Sequence, residues 1–404
     1  MLARLTFGIA MTASVLFGTT ALADDAGPLQ IFVSKDTQQL VVYDGDQVVT
    51  TSNISSGKAG HTTPSGIFSI LEKQKMHHSN LYDDAPMPWM QRITWSGVAL
   101  HESGHVPNYP ASHGCVRMPA KFAKTLWGMT KRGFHVVISD RELVPHAMST
   151  ADLFKPRFGQ PDAELMSDAE LRPAISNDAS VEIAMNETLP KLGATAVAAL
   201  PKDQAPVKIL ITRASDKDKV LTAQRMLAQL GYDVGAIDGV VGTKMRASIK
   251  AYQDIHGQPA TGELTPQVIA SLYKVMNRTQ PTGWIYVRRN FQQVFDAPVE
   301  IANPEISLGT HFLQAVRVNA AQNSAEWFGV SLDNYISPKT AKRLGITAMS
   351  DPLATDAAEQ AFARVTIPSD VRARIETMLG NGSSITITDI GVESETGLGT
   401  DFIT

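Results

Sequence analysis

Apolar and polar residues alternate along the first third of the chain in short stretches that are typical of β-strands. Strand patterns occur in "LQIFVSK", "QQLVVYDGDQVVTTSNI", "IFSILEK", "ITWSGVAL" and "FHVVISD". The triplet "DGD" at 44–46 predicts a hairpin turn within the second stretch. Between the last two stretches, Pro119 opens and Gly133 ends a predicted helix, "PAKFAKTLWGMTKR". We therefore predict a mixed, mostly β domain over residues 29–140.

The middle of the chain changes from a stretch without a period to one with helical periodicity. Residues 141–205 are rich in Ala, Asp, Glu, Pro and Ser, which predicts a linker. "PVKILITR" at 206–213 predicts a strand whose sheet the sequence does not identify. Beyond it, apolar residues recur three or four positions apart in "VLTAQRMLAQL", "KMRASIKAYQ" and "ELTPQVIASLYKVM". These stretches predict a small three-helix bundle, and we assign residues 206–280 to it.

The last block, residues 281–404, is rich in strand patterns and faintly echoes the first domain. "IYVRRNFQQVFDAPVEIANPEISLGTHFLQAV" parallels "IFVSKDTQQLVVYDGDQVV" and "TTPSGIFSIL", and "GSSITITDIG" parallels "GFHVVISDRE". Strand periodicity alone also produces such echoes, so a degenerate repeat of the first domain and an unrelated β-rich domain both stay open. The 404 residues suit two or three domains, and we predict an α+β multidomain protein.

The first 23 residues have the features of an export signal. Arg4 is followed by an apolar run that ends in "ALA" at 21–23, a small-residue pattern at which signal peptidases cleave. The sequence therefore predicts a periplasmic or extracytoplasmic protein with no membrane anchor after cleavage. A formal net charge of -4 and a pI near 6.2 give no basic surface, which argues against nucleic acid as a partner.

Residues 101–115, "HESGHVPNYPASHGC", combine two motifs of different chemistry. The first five letters match the HExxH pattern of zinc peptidases, in which one helix presents both histidines to the metal. A helix is not expected here, because glycine and proline interrupt the segment and a strand pattern precedes it. We therefore predict neither a metal nor another cofactor. A loop could still gather His101, His105 and His113 round an ion, and that alternative stays open.

Cys115 is the only cysteine of the chain. A single cysteine in an exported protein cannot form an internal disulfide, so reactivity is the simplest reason for its presence. Gly114 lets backbone amides approach a substrate carbonyl, and the helix predicted after the cysteine favours a thiolate. His101 and His113 are the candidate bases, since a folded loop could bring either imidazole to the thiol.

These residues resemble the signature of a known catalytic domain. His101 together with "SHGCVRM" at 112–118 looks like the motif of the L,D-transpeptidase (YkuD-type) domain. "TTPSGIF" at 62–68 and "MPWM" at 87–90 extend the resemblance over residues 29–140. In that family the cysteine forms a thioester with a peptidoglycan stem tetrapeptide, D-alanine leaves, and an amine of a neighbouring stem takes the acyl group. The resemblance implies the same reaction here, with 3-3 cross-links or another acylated amine as the product.

The resemblance also assigns roles to individual residues. It implies that Cys115 is the nucleophile and His101 its base. The Gly114 and Cys115 amides are expected in the oxyanion hole, and Ser112 and His113 are expected to shape its wall. Further contacts to the substrate are predicted for Arg117, Trp89, Met90 and Tyr109. The sequence departs from the family at "HESG", which replaces the common His-Gly and puts a glutamate beside the base.

The helical block separately resembles a peptidoglycan-binding domain of the PG_binding_1 type. The resemblance rests on Gln224, Leu227, Leu230-Gly231-Tyr232, Asp238-Gly239, Gly242, Ala247 and Tyr252-Gln253. Arg246 stands where the family commonly has threonine. The resemblance implies a module that tethers the enzyme to its insoluble substrate and so raises the local substrate concentration.

Two other functions stay open at this level. Water could accept the acyl group from the same thioester, which would give an L,D-carboxypeptidase or an endopeptidase. Alternatively, the chain could be a non-catalytic peptidoglycan-binding protein, although the intact motif at 112–115 argues against this. The expected partners are stem peptides and the sacculus, and the C-terminal block could add a surface for a protein partner.

Overall fold

The structure of the chain is a computed structural model. It describes residues 28–79, 84–157, 205–333, 335–392, 395–396 and 400–404. The predicted signal peptide and residues 158–204 of the predicted linker lie outside the described residues. Within the described ranges, no helix is long and apolar enough to span a bilayer.

The N-terminal part of the chain folds into two sheets and a helix. In chain order its elements are β1 (Gln30–Ser34), β2 (Gln39–Asp44), β3 (Gln47–Asn53), β4 (Gly66–Ser69), β5 (Glu72–His78), β6 (Pro86–Arg92), β7 (Ala99–Glu102), β8 (Val116–Met118), α1 (Ala120–Met129) and β9 (His135–Ser139). The first sheet has the order β3-β2-β1-β9-β4, with β9 parallel to β1 and the other neighbours antiparallel. The second sheet has the order β5-β6-β7-β8, with β7 and β8 parallel.

Strands β1, β9 and β4 are buried along their whole length, which explains their continuous apolar runs, whereas the edge strand β3 is mostly exposed. In β1, Ile31 and Val33 pack into a core that includes residues of α1 and of the second sheet. Phe32, between them, belongs to a different core that includes residues of the C-terminal part. Successive residues of a strand face opposite sides of a sheet, so the letters "IFV" contribute to two cores.

Two details of this region differ from the sequence prediction. "ITWSGVAL" is not one strand, because residues 94–98 form a turn between β6 and β7 in which Ile93 N donates to Val98 O at 2.9 Å. Gly97 has φ +114, which glycine adopts without strain. In addition, β8 lies between Cys115 and α1, so the cysteine does not directly precede the helix N-terminus.

The C-terminal part adds a large sheet into which a helical bundle is inserted. In chain order its elements are β10 (His146–Ala147), β11 (Lys208–Arg213), α2 (Asp216–Gln229), α3 (Thr243–Ile255), α4 (Pro266–Val275), β12 (Gly283–Arg289), β13 (Gln292–Ile301), β14 (Thr310–Asn319), β15 (Ser324–Leu332), α5 (Pro338–Leu344), α6 (Ala357–Ala363), β16 (Val365–Thr366), α7 (Ser369–Glu376) and β17 (Ser384–Thr388). The strand order is β10-β15-β14-β17-β11-β12-β13-β16. Residues 206–213 therefore lie in this sheet and not in the helical bundle with which the sequence grouped them.

Five strands of the C-terminal sheet repeat the topology of the first sheet. The order β13-β12-β11-β17-β14 has the same relative directions as β3-β2-β1-β9-β4, with β11 and β17 as the parallel pair. The helix α7 precedes β17 as α1 precedes β9. The sequence echo matched β14 with β4 and β17 with β9, as the topology does, but it matched β12 with β1. In the sheet β12 has the place of β2, because the counterpart of β1 is β11, which precedes the helical insertion.

The first sheet and the C-terminal sheet pack face to face. The core between them contains Phe32, Tyr43, Ile67, Val137, Leu143, Phe312, Val330 and Leu332. A polar contact crosses the same interface, since Lys208 Nζ donates to His135 Nε2 at 2.9 Å. Burial lowers the pKa of Lys208 to about 8 and holds the pKa of His135 well below its ordinary value. The C-terminal part is thus packed against the N-terminal part through a mixed core.

The beginning of the predicted linker belongs to this C-terminal fold. Strand β10 pairs with β15, and Leu153 and Phe154 are buried in the C-terminal core. Trp327 Nε1 donates to Phe154 O at 3.0 Å. Burial of these two side chains, strand pairing and this hydrogen bond together pack the stretch against the C-terminal sheet.

The helices α2, α3 and α4 form the predicted bundle. Arg213 and Gly283, which flank the insertion, lie opposite each other in the ladder between β11 and β12. Inside the bundle, Gln224 Nε2 donates to Ala236 O and Gln224 Oε1 accepts from Gly239 N, both at 2.9 Å. This buried glutamine therefore fixes the loop between α2 and α3.

Candidate active site

A cavity of about 110 Å³ lies where the second sheet meets the loop that leads to β8. Six of the residues predicted from the sequence line it, namely Met90, His101, Ser112, His113, Cys115 and Arg117. The two ends of the 101–115 segment therefore reach the same cavity. The parallel pairing of β7 with β8 explains this, because it sets His101 opposite Arg117, two residues from Cys115.

His101 is buried at the end of β7, and one of its ring nitrogens has a fixed partner. Nδ1 lies 2.7 Å from the carbonyl oxygen of Glu102. A carbonyl can only accept, so Nδ1 carries the proton and Nε2 keeps its lone pair. Burial lowers the pKa of His101 to about 4, and the Glu102 carbonyl opposes that shift. The imidazole is therefore neutral near pH 7 and able to accept a proton at Nε2.

The Cys115 thiol lies in an apolar part of the cavity. It packs against Met87, Met90 and Ala99. Its hydrogen is directed to the carbonyl oxygen of Gly97, 3.6 Å from Sγ. The turn between β6 and β7 thus contacts the thiol directly.

The charge state of the thiol depends on opposing effects. Burial raises the pKa of Cys115, while a hydrogen bond from the Ala99 backbone and the charges of Arg117 and Arg92 lower it. The sequence attributed thiolate character to a helix N-terminus, and that reason is wrong because β8 intervenes. The Ala99 backbone and the charges of Arg117 and Arg92 favour the thiolate instead, but burial outweighs them and the pKa of the Cys115 thiol lies above its ordinary value.

The turn at 112–115 is held by side-chain hydrogen bonds. Ser112 Oγ donates to Cys115 O and accepts from Gly114 N. Thr63 Oγ1 donates to Gly114 O at 2.8 Å and accepts from Gly57 N at 2.8 Å. The Gly114 amide is therefore paired with Ser112 Oγ in this structure. The places of the Gly114 and Cys115 amides in an oxyanion hole stay predictions.

His113 is the more solvent-exposed of the two candidate bases. Its ring packs edge-on against His61, with ring centroids 4.8 Å apart. Some desolvation and the charges of Lys58, His61 and Arg117 lower its pKa. Of the two histidines, His101 is therefore the buried one with a fixed tautomer.

Two predicted substrate contacts lie away from the cavity wall. Trp89 packs against Trp127 with ring centroids 5.6 Å apart, beside the core of α1. Tyr109 is 59% exposed, and its carbonyl accepts from Ser55 Oγ at 2.8 Å. Trp89 has φ +55, so regular strand alternation does not apply at this position, and neither Trp89 nor Tyr109 is among the residues that line the cavity. Their predicted roles in substrate binding stay predictions.

Sequence reasoning missed other residues of the wall, among them Met87, Arg92 and Ala99. Arg92 lies two positions after Met90 in β6, which places both side chains on one face. Its Nε pairs with Glu72 Oε2 at 2.9 Å. Strand alternation in "MQR" could have identified Arg92, whereas the contribution of Ala99 depends on how β6 pairs with β7.

The residues of the HExxH spacing do not lie on one helix. His101 and Glu102 end strand β7, and His105 is exposed in the loop beyond it. The two histidines therefore do not share a helical face. Where the chain is described, no three His, Cys, Asp or Glu side chains cluster closely enough to hold a metal ion.

Comparison with protein families gives two matches to this chain. Residues 28–138 match the L,D-transpeptidase catalytic domain. Residues 216–272 match a putative peptidoglycan binding domain, which covers α2 to α4. Both resemblances inferred from sequence motifs are thereby confirmed.

Solved structures of L,D-transpeptidases are similar to part of the chain. One from Xylanimonas cellulosilytica is 30% identical, with a TM-score of 0.25, over 28% of this chain and 60% of that chain. One from Stackebrandtia nassauensis is 26% identical, with a TM-score of 0.26, over 28% and 56%. One from Mycobacterium smegmatis is 22% identical, with a TM-score of 0.27, over 28% and 59%. The chain thus spans less than two thirds of their lengths. No curated protein matches it.

Proposed function

We propose that this chain is an exported L,D-transpeptidase whose Cys115 forms a thioester with peptidoglycan stem tetrapeptides. One observation carries the proposal: His101 and Cys115 line the same cavity, within the residues that match the catalytic domain. A neutral buried imidazole beside a single thiol is the arrangement that nucleophilic acyl transfer requires.

In the first half of the proposed reaction, the stem peptide is cleaved. His101 Nε2 takes the proton of the Cys115 thiol, and Sγ attacks the carbonyl carbon between the diamino acid and the terminal D-alanine. The backbone amide of Cys115 is the proposed donor to the oxyanion. The C–N bond then breaks, D-alanine leaves with the proton from His101, and the tripeptide remains as a thioester.

In the second half, an amine replaces the thiol. The side-chain amine of a neighbouring stem attacks the thioester carbonyl and loses a proton to His101 as the new amide bond forms. The C–S bond breaks, and Cys115 recovers its proton. Water in place of the amine would give a carboxypeptidase or endopeptidase through the same intermediate.

The charge of the cavity supports a stem peptide as the donor. Arg92 and Arg117 line the cavity together with the apolar Met87 and Met90. A stem tetrapeptide ends in a carboxylate, which guanidinium groups bind well. The methionines suit the short aliphatic part of the same peptide.

The deciding experiment is intact-protein mass spectrometry of residues 24–404 mixed with a disaccharide-tetrapeptide. We expect a tripeptide adduct on Cys115 without acceptor, and its conversion to cross-linked product when an amine acceptor is added. Free tripeptide as the sole product would favour the hydrolase. Neither adduct nor product would contradict catalysis and favour a non-catalytic binding protein.

Cys115→Ser is the matched control for that experiment. Serine has nearly the size and the hydrogen-bonding ability of cysteine, but its hydroxyl is a far weaker nucleophile than a thiol. We expect no adduct and a loss of turnover of about 10³-fold or more. Undiminished turnover would exclude the thiol mechanism.

We also propose that α2 to α4 bind the sacculus and hold the catalytic domain on it. The family match of residues 216–272 supports this role. Because Arg213 and Gly283 are paired across β11 and β12, a short Gly-Ser loop can replace residues 215–280 without opening the sheet. We expect this variant to pellet less with sacculi and still form the adduct with soluble tetrapeptide. Equal pelleting would refute the tether.

A further inference from the structure

The last residues of the chain return from the C-terminal part to the catalytic domain. Thr404 O accepts from Ile67 N at 2.8 Å, and Thr404 N donates to Ile67 O at 3.2 Å. The chain end thus pairs with β4, the edge strand of the first sheet. Ile403 is buried in the core that contains α1. The tail residues that make these contacts lie outside the 28–138 segment that matches the catalytic family, whereas their partner Ile67 lies within it.

A second contact of the same tail reaches the turn beside the thiol. Glu395 Oε2 accepts from Trp95 N at 2.8 Å, and Glu395 Oε1 accepts from Ser96 N at 3.1 Å. Thr400 Oγ1 donates to Glu395 O at 2.9 Å, which connects this residue to the paired chain end. One carboxylate therefore binds two successive amides of the 94–98 turn.

The five amides of this turn are divided among three acceptor residues. Val98 N donates to Thr94 Oγ1 at 2.9 Å, Gly97 N donates to Thr94 O at 3.4 Å, and Thr94 N donates to Val98 O at 3.3 Å. The remaining two amides, of Trp95 and Ser96, donate to the Glu395 carboxylate. Hydrogen bonds from backbone amides to a carboxylate are stronger than those to neutral acceptors. Thr94 and Glu395 together therefore fix the position of the Gly97 carbonyl.

The Gly97 carbonyl connects this arrangement to the thiol. It is the acceptor for Cys115 Sγ, at 3.6 Å. An acceptor that binds the protonated thiol fixes its direction and also opposes its ionisation. The tail thus acts on the thiol through one turn, without entering the cavity.

We propose that Glu395 is a positioning residue that holds the 94–98 turn so that Gly97 orients the Cys115 thiol. The tail, residues 395–396 and 400–404, then contributes to positioning the thiol of the catalytic domain. The inference concerns the orientation of the thiol and rests on the proposed function only where turnover is the readout.

The test compares Glu395→Ala with the wild-type chain by two readouts. The first is the rate of alkylation by iodoacetamide across pH, which reports Cys115 alone because the chain has one cysteine. Without the carboxylate the turn relaxes and the thiol loses its acceptor, so we expect the midpoint of alkylation to move to lower pH. Alkylation at pH 7 should rise about three-fold. The second readout, adduct formation with the tetrapeptide, should fall about ten-fold because the thiol is no longer held in one direction.

Opposite changes in the two readouts distinguish positioning from a loss of folding. Glu395→Gln keeps one strong acceptor and should lie between alanine and wild type. Glu326→Ala, which removes a carboxylate paired with Arg317 on the exposed surface, should match wild type in both readouts. Unchanged alkylation in Glu395→Ala, or a parallel fall of both rates together with a lower Tm, would overturn the proposal. A wild-type chain that is alkylated but forms no adduct would refute the proposed function, and the alkylation comparison would still decide the role of Glu395.

Discussion

The first sheet and the C-terminal sheet each contain five strands with the same order and directions. The elements between the fourth and fifth of these strands, counted along the chain, differ. In the first sheet, β5 to β8 lie between β4 and β9 and carry His101 and Cys115. In the C-terminal sheet, β15, α5, α6 and β16 lie between β14 and β17, and this region contains no cysteine. A common strand arrangement thus carries the cavity with His101 and Cys115 in one region and no cysteine in the other, so the proposed chemistry depends on the elements inserted between the strands.

Each region also buries a histidine, and the difference between the two is instructive. Burial lowers the pKa of both His101 and His311 to about 4. His311 Nε2 donates to Leu308 O and Nδ1 accepts from Ser331 Oγ, both at 2.8 Å. His101 instead donates from Nδ1 to Glu102 O, which leaves Nε2 with its lone pair, and its side chain lines the cavity. A perturbed pKa therefore does not by itself identify a base, since a buried structural histidine shows the same shift.

The largest expected effect is on turnover, and it should differ between variants of His101 and His311. His101→Ala removes the proposed proton acceptor, and general-base catalysis contributes about 10²–10⁴-fold. We expect turnover of the tetrapeptide to fall by that factor, measured by mass spectrometry of the products. His311→Ala, compared at a temperature where both variants are folded, should retain wild-type turnover; a similar loss there would remove the distinction.

The second prediction concerns how much packing of the C-terminal sheet against the first sheet stabilises the protein. Phe312 is 1% exposed in the core between the two sheets. Phe312→Ala should lower the free energy of unfolding by about 3–5 kcal/mol, because it leaves a cavity in that core. Chemical denaturation measures this. Tyr335→Ala is the matched control, since Tyr335 is 85% exposed and its loss should change stability by less than about 0.5 kcal/mol.

A smaller effect concerns pH and stability. His311 has a folded pKa of about 4 against an ordinary value of 6.5, so between these values the unfolded chain binds the proton and the folded chain does not. The contribution of His311 to the free energy of unfolding is therefore fully present above about pH 6.5. It falls as the pH decreases to 4, by up to about 3 kcal/mol. His311→Gln should flatten the fall in Tm over this range and leave turnover at pH 7 unchanged. An equally steep fall in the variant would contradict this assignment.

The smallest expected effect lies at the edge of the catalytic region. Tyr109→Ala should change the KM for the tetrapeptide by less than about two-fold, because the structure uses only the backbone carbonyl of this residue. Arg117→Ala is the comparison, since that side chain lines the cavity and should raise KM much more. A large rise in KM for Tyr109→Ala would restore the contact predicted from the sequence.

The sequence by itself determined the parts of this protein that depend on local pattern. The apolar alternation predicted most strands of the first sheet, the helical period predicted α2 to α4, and the short motif at 112–118 predicted the match of residues 28–138 to the L,D-transpeptidase catalytic domain. Such features can be predicted from sequence because they depend on residues that are close together in the chain.

Only the tertiary structure decided which distant residues meet. The place of β11 beside β17, the position of Arg92 on the cavity wall and the contact of Glu395 with the 94–98 turn all join residues far apart in the chain. It also showed that the Gly114 amide is paired and that Trp89 faces a core. Strand pairing and side-chain packing set these contacts, and neither leaves a periodic signal in the sequence.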